Sequence, residues 1–261
     1  MKNKVLIIIP AYNEEKNISA LLDKLNPYRD RYDAIVVDDA SKDHTAQVAQ
    51  ERGFPVIQLP SNLGIGGAMQ TGFKYAVDND YEITVQLDGD GQHDPVWLDE
   101  LTHNIIFGHV NCVIGSRYMK NNIDKDYKTP FLRRIGMLFS TFILFLSTGK
   151  LIQDTTSGLR ALDRRAFEYF AHEYPTDHPE AEALFLLYRA GFEIKEIPVK
   201  MHQRQTGTSL FSWYKSAMYP FRVLIGFLGL LKIHLIPLYH QNDVSHLGFP
   251  DTFHVLYLRL I

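Results

Sequence analysis

A chain of 261 residues, 46% hydrophobic and 22% charged, can build one large α/β domain with or without an appendage, and its composition excludes general disorder. Lys and Arg number 27 against 30 Asp and Glu, a formal net charge of −3, so no basic excess marks a nucleic-acid binder. The single cysteine, Cys112, excludes an intrachain disulfide and a cysteine-built zinc or iron–sulfur site. With no leader pattern ahead of the first strand, the expectation is a reduced, cytoplasmic setting.

The first 116 residues alternate between strand and helix patterns. Residues 5–9 (VLIII) are a continuous apolar run, the mark of a strand buried on both faces. Residues 14–25 place Ile18, Leu21, Leu22 and Leu25 on one helical stripe. Strand patterns follow at 34–37, 55–59, 83–87 and 111–115, with helices expected over 43–52, 66–77 and 95–106. Strands separated by helices imply an α/β fold with a mostly parallel central sheet, whose ligands bind beyond the carboxyl ends of the strands. The polar residues collect at those ends: Tyr12, Asn13 and Glu14, then Asp38 and Asp39, then Asp88, Asp90 and Gln92, then Ser116 and Arg117. Beyond them, residues 131–147 are strongly apolar, with Arg133 and Arg134 near the start and a dense stretch at 135–146 too short to span a bilayer. A polar loop is expected at 153–160, helices at 164–171 and 180–190, and a strand at 192–199. Residues 213–239 are again apolar and aromatic, interrupted by Lys215, Arg222 and Lys232.

Asp88-Gly-Asp90-Gly-Gln92 is the sharpest motif. Two carboxylates two residues apart on a glycine turn can converge on one divalent cation, and oxygen ligands suit Mg²⁺ or Mn²⁺. The alternative is a polar turn that caps the next helix, as Asp94 before Pro95 can do. Asp38 and Asp39 can accept hydrogen bonds from a ribose or base, or can form an Asx turn. Asn62 to Ala68 is a glycine-rich helix entry suited either to phosphate or to close helix–sheet packing. Met69 occupies the third-glycine position of a dinucleotide fingerprint, and the Lys-Ser/Thr pair of a P-loop is missing. His93 and His202 beside the motifs read as structural rather than as metal ligands, and Cys112 as a buried small hydrophobe.

Six ordered segments carry a family resemblance: Pro10-Ala-Tyr-Asn-Glu-Glu15, Asp38-Asp39-Ala-Ser41, Asp88-Gly-Asp90-Gly-Gln92, Gly115-Ser-Arg117, Asp154-Thr-Thr-Ser-Gly158-Leu-Arg160 and Arg204-Gln-Thr-Gly207-Thr-Ser209. Across residues 4–215 the chain resembles family 2 glycosyltransferases of the GT-A fold. Within them it is similar to the dolichyl-phosphate mannosyltransferases and their bacterial polyprenyl-phosphate relatives. The resemblance implies an inverting transfer of a hexose from a GDP- or UDP-sugar to a polyprenyl phosphate. It places Pro10, Tyr12, Glu14, Asp38, Asp39 and Asp88 at the nucleotide, and Asp88, Asp90 and Gln92 at a Mg²⁺ or Mn²⁺ ion. Arg117, Arg133, Arg134, Ser157, Arg204 and Ser209 fall on the phosphate and acceptor side, and Asp90, Arg117 and Asp154 become the catalytic residues. A phosphate acceptor is already anionic near neutral pH, its second pKa being about 6, so Asp154 is expected to orient or tune rather than to abstract a proton.

The organisation implied is a GT-A domain over 1–212, an amphipathic interfacial segment over 213–239 and a tail over 240–261 that matches no pattern. Stretches 135–146 and 218–231 can dip into a bilayer with their basic side chains near anionic headgroups, so a peripheral membrane association is expected. Alternatives for either stretch are a core helix or a dimer seam, and a homo-oligomer is compatible with the pattern. Rival functions are a family 2 transferase with a soluble or polysaccharide acceptor, a noncatalytic scaffold of the same fold and, more remotely, a nucleotidyltransferase. The intact Asp88, Asp90 and Gln92 argue against a scaffold.

Overall fold

The computed structural model describes residues 4–119, 131–175 and 179–201. In chain order these form β1 (Val5–Ala11), α1 (Glu15–Leu25), β2 (Asp33–Asp38), α2 (Thr45–Glu51), β3 (Val56–Gln58), α3 (Gly64–Asp78), β4 (Ile83–Gln86), α4 (Leu98–Gly108), β5 (Cys112–Ser116), α5 (Phe131–Thr148), β6 (Arg160–Asp163), α6 (Arg164–His172), α7 (Pro179–Arg189) and β7 (Ile194–Pro198). Single turns of 3₁₀ helix at Asn26–Tyr28 and Pro95–Trp97 precede β2 and α4. The sheet order is β3-β2-β1-β4-β6-β5-β7. Every residue of β1 is buried, as its unbroken apolar run requires of a central strand covered on both faces.

Six strands sit where the sequence pattern puts them; β6 does not. It starts at the last residue of the expected polar loop and fills the unassigned residues before the expected helix, and it runs antiparallel between β4 and β5. Four residues with charged ends (RALD) carry no alternation to announce a strand; the slot between two neighbours supplies the pairing. Its direction matters for the site. Arg160 at the start of β6 pairs with Gln86 near the end of β4 and with Ile114 of β5. The segment leading into β6 therefore lies beside the carboxyl ends of both strands. Asp163 then ends β6 and caps α6, accepting a hydrogen bond from the Ala166 amide at 2.9 Å.

The core comprises Ile7, Ile9, Leu21, Leu22, Val36, Val85, Leu101, Val113 and Leu159, among others. On the other face α3 packs on α6, with the Phe73 ring 5.7 Å from Phe170 and 5.3 Å from Tyr174. Cys112 is buried in β5 as expected, and burial pushes its thiol pKa up to about 12. Asp94 does cap the turn before α4, its carboxylate accepting from the Val96 amide at 3.0 Å. Residues 135–146 belong to α5, which packs against α7. Met137, Ser140 and Leu144 are buried on one side of α5, and Leu138, Phe142, Phe145 and Leu146 are exposed on the other. Among the described residues no helix is long and apolar enough to cross a membrane. Stretch 218–231, His202, Arg204, Ser209 and the tail lie outside the described residues.

Helix α3 lies against β1 with almost no gap. A methyl group at Gly72 would sit 2.4 Å from Ile8 Cγ2. In an open helix Gly→Ala gains up to about 1 kcal/mol, whereas overpacking costs about 1–3 kcal/mol. Gly72→Ala should therefore lower stability by about 1–2 kcal/mol, read as a lower urea midpoint at unchanged slope.

Candidate active site

The site is built from loops at the carboxyl ends of the strands. After β1, the Asn13 amide donates to Ser41 Oγ at 2.9 Å and the Lys42 amide to Asn13 Oδ1 at 2.8 Å. The Glu14 amide donates to Thr45 Oγ1 at 2.8 Å. Asn13 and Ala40 hold left-handed backbone angles, φ 54° and 58°, a strained state that these cross-links keep in place. Glu14 is buried and accepts from Asn17 Nδ2 at 2.6 Å. Pro10 is buried and Tyr12 half-buried beside it.

Asp38 and Asp39 end β2 and are both buried. Asp39 Oδ1 accepts from the Leu63 amide at 2.7 Å, so it ties β2 to the entry of α3. Burial raises the Asp39 pKa, and the neighbouring Asp38 charge adds to this against the pull of the Leu63 and Gly64 amides. Asp38 Oδ1 is buried without a hydrogen-bond partner, the state of an acceptor waiting for an external donor. At the glycine-rich entry to α3, a Cβ on Gly67 would meet Leu63 Cβ at 2.4 Å. That contact is local to the start of α3; the close approach of this helix to the sheet is at Gly72, beside Ile8 of β1.

Asp88 follows β4. Its Oδ1 accepts from Gln86 Nε2 at 3.1 Å, and its Oδ2 lies 3.5 Å from Nε2 of the wholly buried His93. About a quarter of the Asp88 side chain (26%) stays exposed. Burial pushes the Asp88 carboxyl upward, but His93, the Gln86 amide and the Arg160 charge outweigh it and hold the pKa below the usual value. Gly158 faces this carboxylate so closely that a Cβ there would stand 2.0 Å from Asp88 Oδ2. Gly89 lets the turn approach β1, with its amide 3.3 Å from the Pro10 carbonyl. Asp90 Oδ1 accepts from the Gln92 amide at 3.0 Å, and Gly91 takes φ +71° to close the turn. Among the described residues no group of three His, Cys, Asp or Glu side chains is assembled to hold a metal ion. Asp88, Asp90 and Gln92 nonetheless share one short turn.

Arg117 follows β5, and its guanidinium is engaged by protein. Nε donates to Asp154 Oδ2 at 2.7 Å and Nη2 to Asp154 Oδ1 at 2.6 Å, a bidentate fork. Nη2 also reaches Thr156 Oγ1 at 2.7 Å, and the Arg117 amide donates to Asp154 Oδ2 at 2.9 Å. Asp154 is fully buried. Burial pushes its carboxyl up, yet the Arg117 bonds and charge hold it below the usual range. The resemblance set Arg117 on the phosphate side and made Asp154 a catalytic residue that orients or tunes; the structure brings the two together as a pair. Ser157 is buried, its hydroxyl accepting from the Leu159 amide at 3.3 Å. Arg133 and Arg134 open α5, and Arg134 is exposed.

Arg160, present in the sequence pattern only as the last residue of a motif, and Glu196 both carry buried or half-buried charge at the site. Arg160, buried at the start of β6, donates to the carbonyls of Ser157 (2.8 Å) and Thr155 (3.0 Å) and lends its charge to Asp88. Glu196 in β7 accepts from the Gln153 and Asp154 amides at 2.8 and 2.9 Å. For Arg160 the available signal was a charge set among apolar neighbours, Leu159-Arg160-Ala161-Leu162; Glu196 follows Lys195 and carried no such signal.

Residues 6–170 match the family described as glycosyl transferase family 2. The chain belongs to this family. It is 34% identical over 217 residues to a UDP-N-acetylglucosamine–dolichyl-phosphate N-acetylglucosaminyltransferase of Methanococcus voltae, covering 75% of this chain and 84% of that one. It is 29% identical over 220 residues to the polyprenol monophosphomannose synthase of Mycolicibacterium smegmatis, covering 80% and 81%. Its fold is similar to that of glucosyl-3-phosphoglycerate synthase from Mycobacterium tuberculosis solved with Mn²⁺, UDP and phosphoglyceric acid. That match has a TM-score of 0.69 at 18% identity and covers 87% of this chain and 78% of that one. This family 2 protein is a glycosyltransferase with a GT-A fold, as the motifs led one to expect.

The buried Arg117–Asp154 pair sets a stability prediction. Removing one partner leaves the other charge uncompensated, at a cost of about 3–5 kcal/mol, so Asp154→Asn should lose that much in chemical denaturation. Because the folded carboxyl titrates below its unfolded value near pH 4, the pair's contribution is complete above that pH. It fades as pH falls through the lower folded value. Asp154→Asn should accordingly show a shallower loss of stability on acidification than the natural sequence.

Proposed function

We propose that this family 2 glycosyltransferase moves a hexose from a GDP- or UDP-sugar to a polyprenyl phosphate with inversion at the anomeric carbon. The observation that carries the reading is the meeting of two sides of the site on one segment. Residues 154–158 grip Arg117 through Asp154 and face Asp88 through Gly158. A donor at Asp88 and an acceptor at Arg117 would thus share a boundary. The relatives named for dolichyl and polyprenol phosphates support the acceptor class, and the UDP- and Mn²⁺-bound fold neighbour supports a nucleotide-sugar donor.

A divalent ion, Mg²⁺ or Mn²⁺, fits the donor set at Asp88, Asp90 and Gln92. All three offer oxygen to a hard cation and share one short turn, and about a quarter of the Asp88 side chain stays exposed. When bound, such an ion neutralises the diphosphate leaving group. The protein's own residues do the rest. Asp38, with its unpartnered Oδ1, accepts from the nucleoside, while Asp39 holds the α3 entry that walls the pocket alongside Pro10, Tyr12 and Glu14. Asp154 is buried, ionised and saturated with donors, so it fixes Arg117 rather than taking a proton. The acceptor phosphate attacks as the anion it already is. Arg117, held in the fork and almost wholly buried, is the cationic side of the site that the phosphates would approach.

The exposed face of α5, with Leu138, Phe142, Phe145 and Leu146 and with Arg134 near its start, supports contact with a lipid surface. On this reading the enzyme is peripheral and acts at the cytoplasmic side of the membrane. Residues 1–212 form the catalytic domain and 213–239 a second interfacial segment. Arg133, Arg134, Arg204, Ser157 and Ser209 are assigned to the acceptor phosphate side.

Radiolabelled GDP-mannose and UDP-glucose, each offered with Mg²⁺ or Mn²⁺ and undecaprenyl phosphate, test the reaction. Label should pass into the organic phase with one of them, and none from either would remove the lipid acceptor. Asp90→Ala should cut turnover at least about a hundredfold while circular dichroism remains that of the folded protein. Gly158→Ala should push the Asp88 carboxylate aside. Cation-dependent nucleotide binding should then weaken by more than about tenfold, with stability lowered by about 1–3 kcal/mol.

A further inference from the structure

Glu196 touches neither the donor side nor the acceptor side of the site. It lies on β7, next to β5, and its carboxylate is half-buried. Each oxygen takes one of two successive main-chain amides: Oε2 accepts from Gln153 at 2.8 Å and Oε1 from Asp154 at 2.9 Å. The Ser116 side chain, just before Arg117, faces the same carboxylate. Gln153 and Asp154 lie in the loop between α5 and β6, where no helix or sheet ladder takes their amides, and Asp154 is fully buried, so water cannot replace the carboxylate at that amide. Burial and the nearby Asp154 charge both push the Glu196 carboxyl upward, while the two amides draw it back.

What it holds is specific. The second amide belongs to Asp154, whose side chain is the fork that grips Arg117 at 2.6 and 2.7 Å. A rotation of the Gln153–Asp154 peptide would turn the fork, and with it the guanidinium, while the strand and Ser116 stayed in place. We propose that Glu196 is a positioning residue for sugar transfer: by clamping the Gln153 and Asp154 amides it sets the orientation of Asp154, and through Asp154 the aim of Arg117. The role in transfer rests on the function assigned above; the clamp itself does not.

Glu196→Gln keeps the shape but turns an amide NH₂ toward one of the two donors. Hydrogen exchange at the Gln153 and Asp154 amides should accelerate about tenfold or more, with β5 and β7 amides unchanged. kcat should fall by about tenfold or more, while KM for the sugar nucleotide stays within about twofold. In a double-mutant cycle, Glu196→Gln added to Asp154→Asn should lower kcat no further than Asp154→Asn alone. Unaccelerated exchange at those amides overturns the proposal, whatever the activity. So does an additive loss in the cycle, or a kcat equal to that of the natural sequence. Should the natural protein transfer no sugar to any lipid phosphate, the functional assignment fails, and exchange still decides the clamp. If Glu196→Gln does not fold, Glu196→Asp keeps the charge but withdraws it by one methylene. It carries the same readouts with the same expected direction.

Discussion

At position 158 the chain crosses the Asp88 carboxylate with no room for a side chain, and much of the site's layout follows from that crossing. To arrive there, the segment has to enter the sheet from the carboxyl ends of β4 and β5, which a parallel strand cannot do. The antiparallel β6 solves this geometric problem. Arg160, the first residue of β6, anchors the arriving segment by bonding the Ser157 and Thr155 carbonyls, and its charge helps to keep Asp88 ionised. One buried arginine therefore shapes the loop and tunes the carboxylate that the loop faces.

A second buried charge system lies a few residues earlier on the same segment. Arg117 and Asp154 are 37 residues apart in sequence and share a bidentate contact in an environment from which Asp154 sees no water. Burying such a pair is not a cheap source of stability, because desolvation consumes much of the attraction. Its value lies in direction: a guanidinium held by a fork has one orientation, whereas one in solvent has many. The Glu196 carboxylate extends the same logic one layer outward.

The parallel half of the sheet was legible because a strand covered on both faces must be apolar throughout, and residues 5–9 are. The gathering of Asp38, Asp39, Asp88 and Arg117 at one edge was legible for the same reason, since polar residues flank each apolar run. β6 was not legible. Its four residues carry no period, and only neighbours placed by the rest of the fold make them a strand. The partner of Arg117 was equally hidden. A charge in sequence announces that it needs satisfaction but not whether a ligand or another part of the chain provides it. Asp90 shows the local version of this limit: one of its oxygens closes its own turn on the Gln92 amide.

Cys112 deserves a practical reading. It is the chain's single cysteine, and it sits inside β5 with its thiol pKa pushed up to about 12, so the nucleophilic thiolate is scarce at neutral pH and sterically sealed. The natural protein is thus close to inert toward maleimide and iodoacetamide. A cysteine introduced in place of an outward residue of α5, such as Phe142, would be the one reactive handle on the folded molecule, ready for a fluorophore or spin label without first deleting anything.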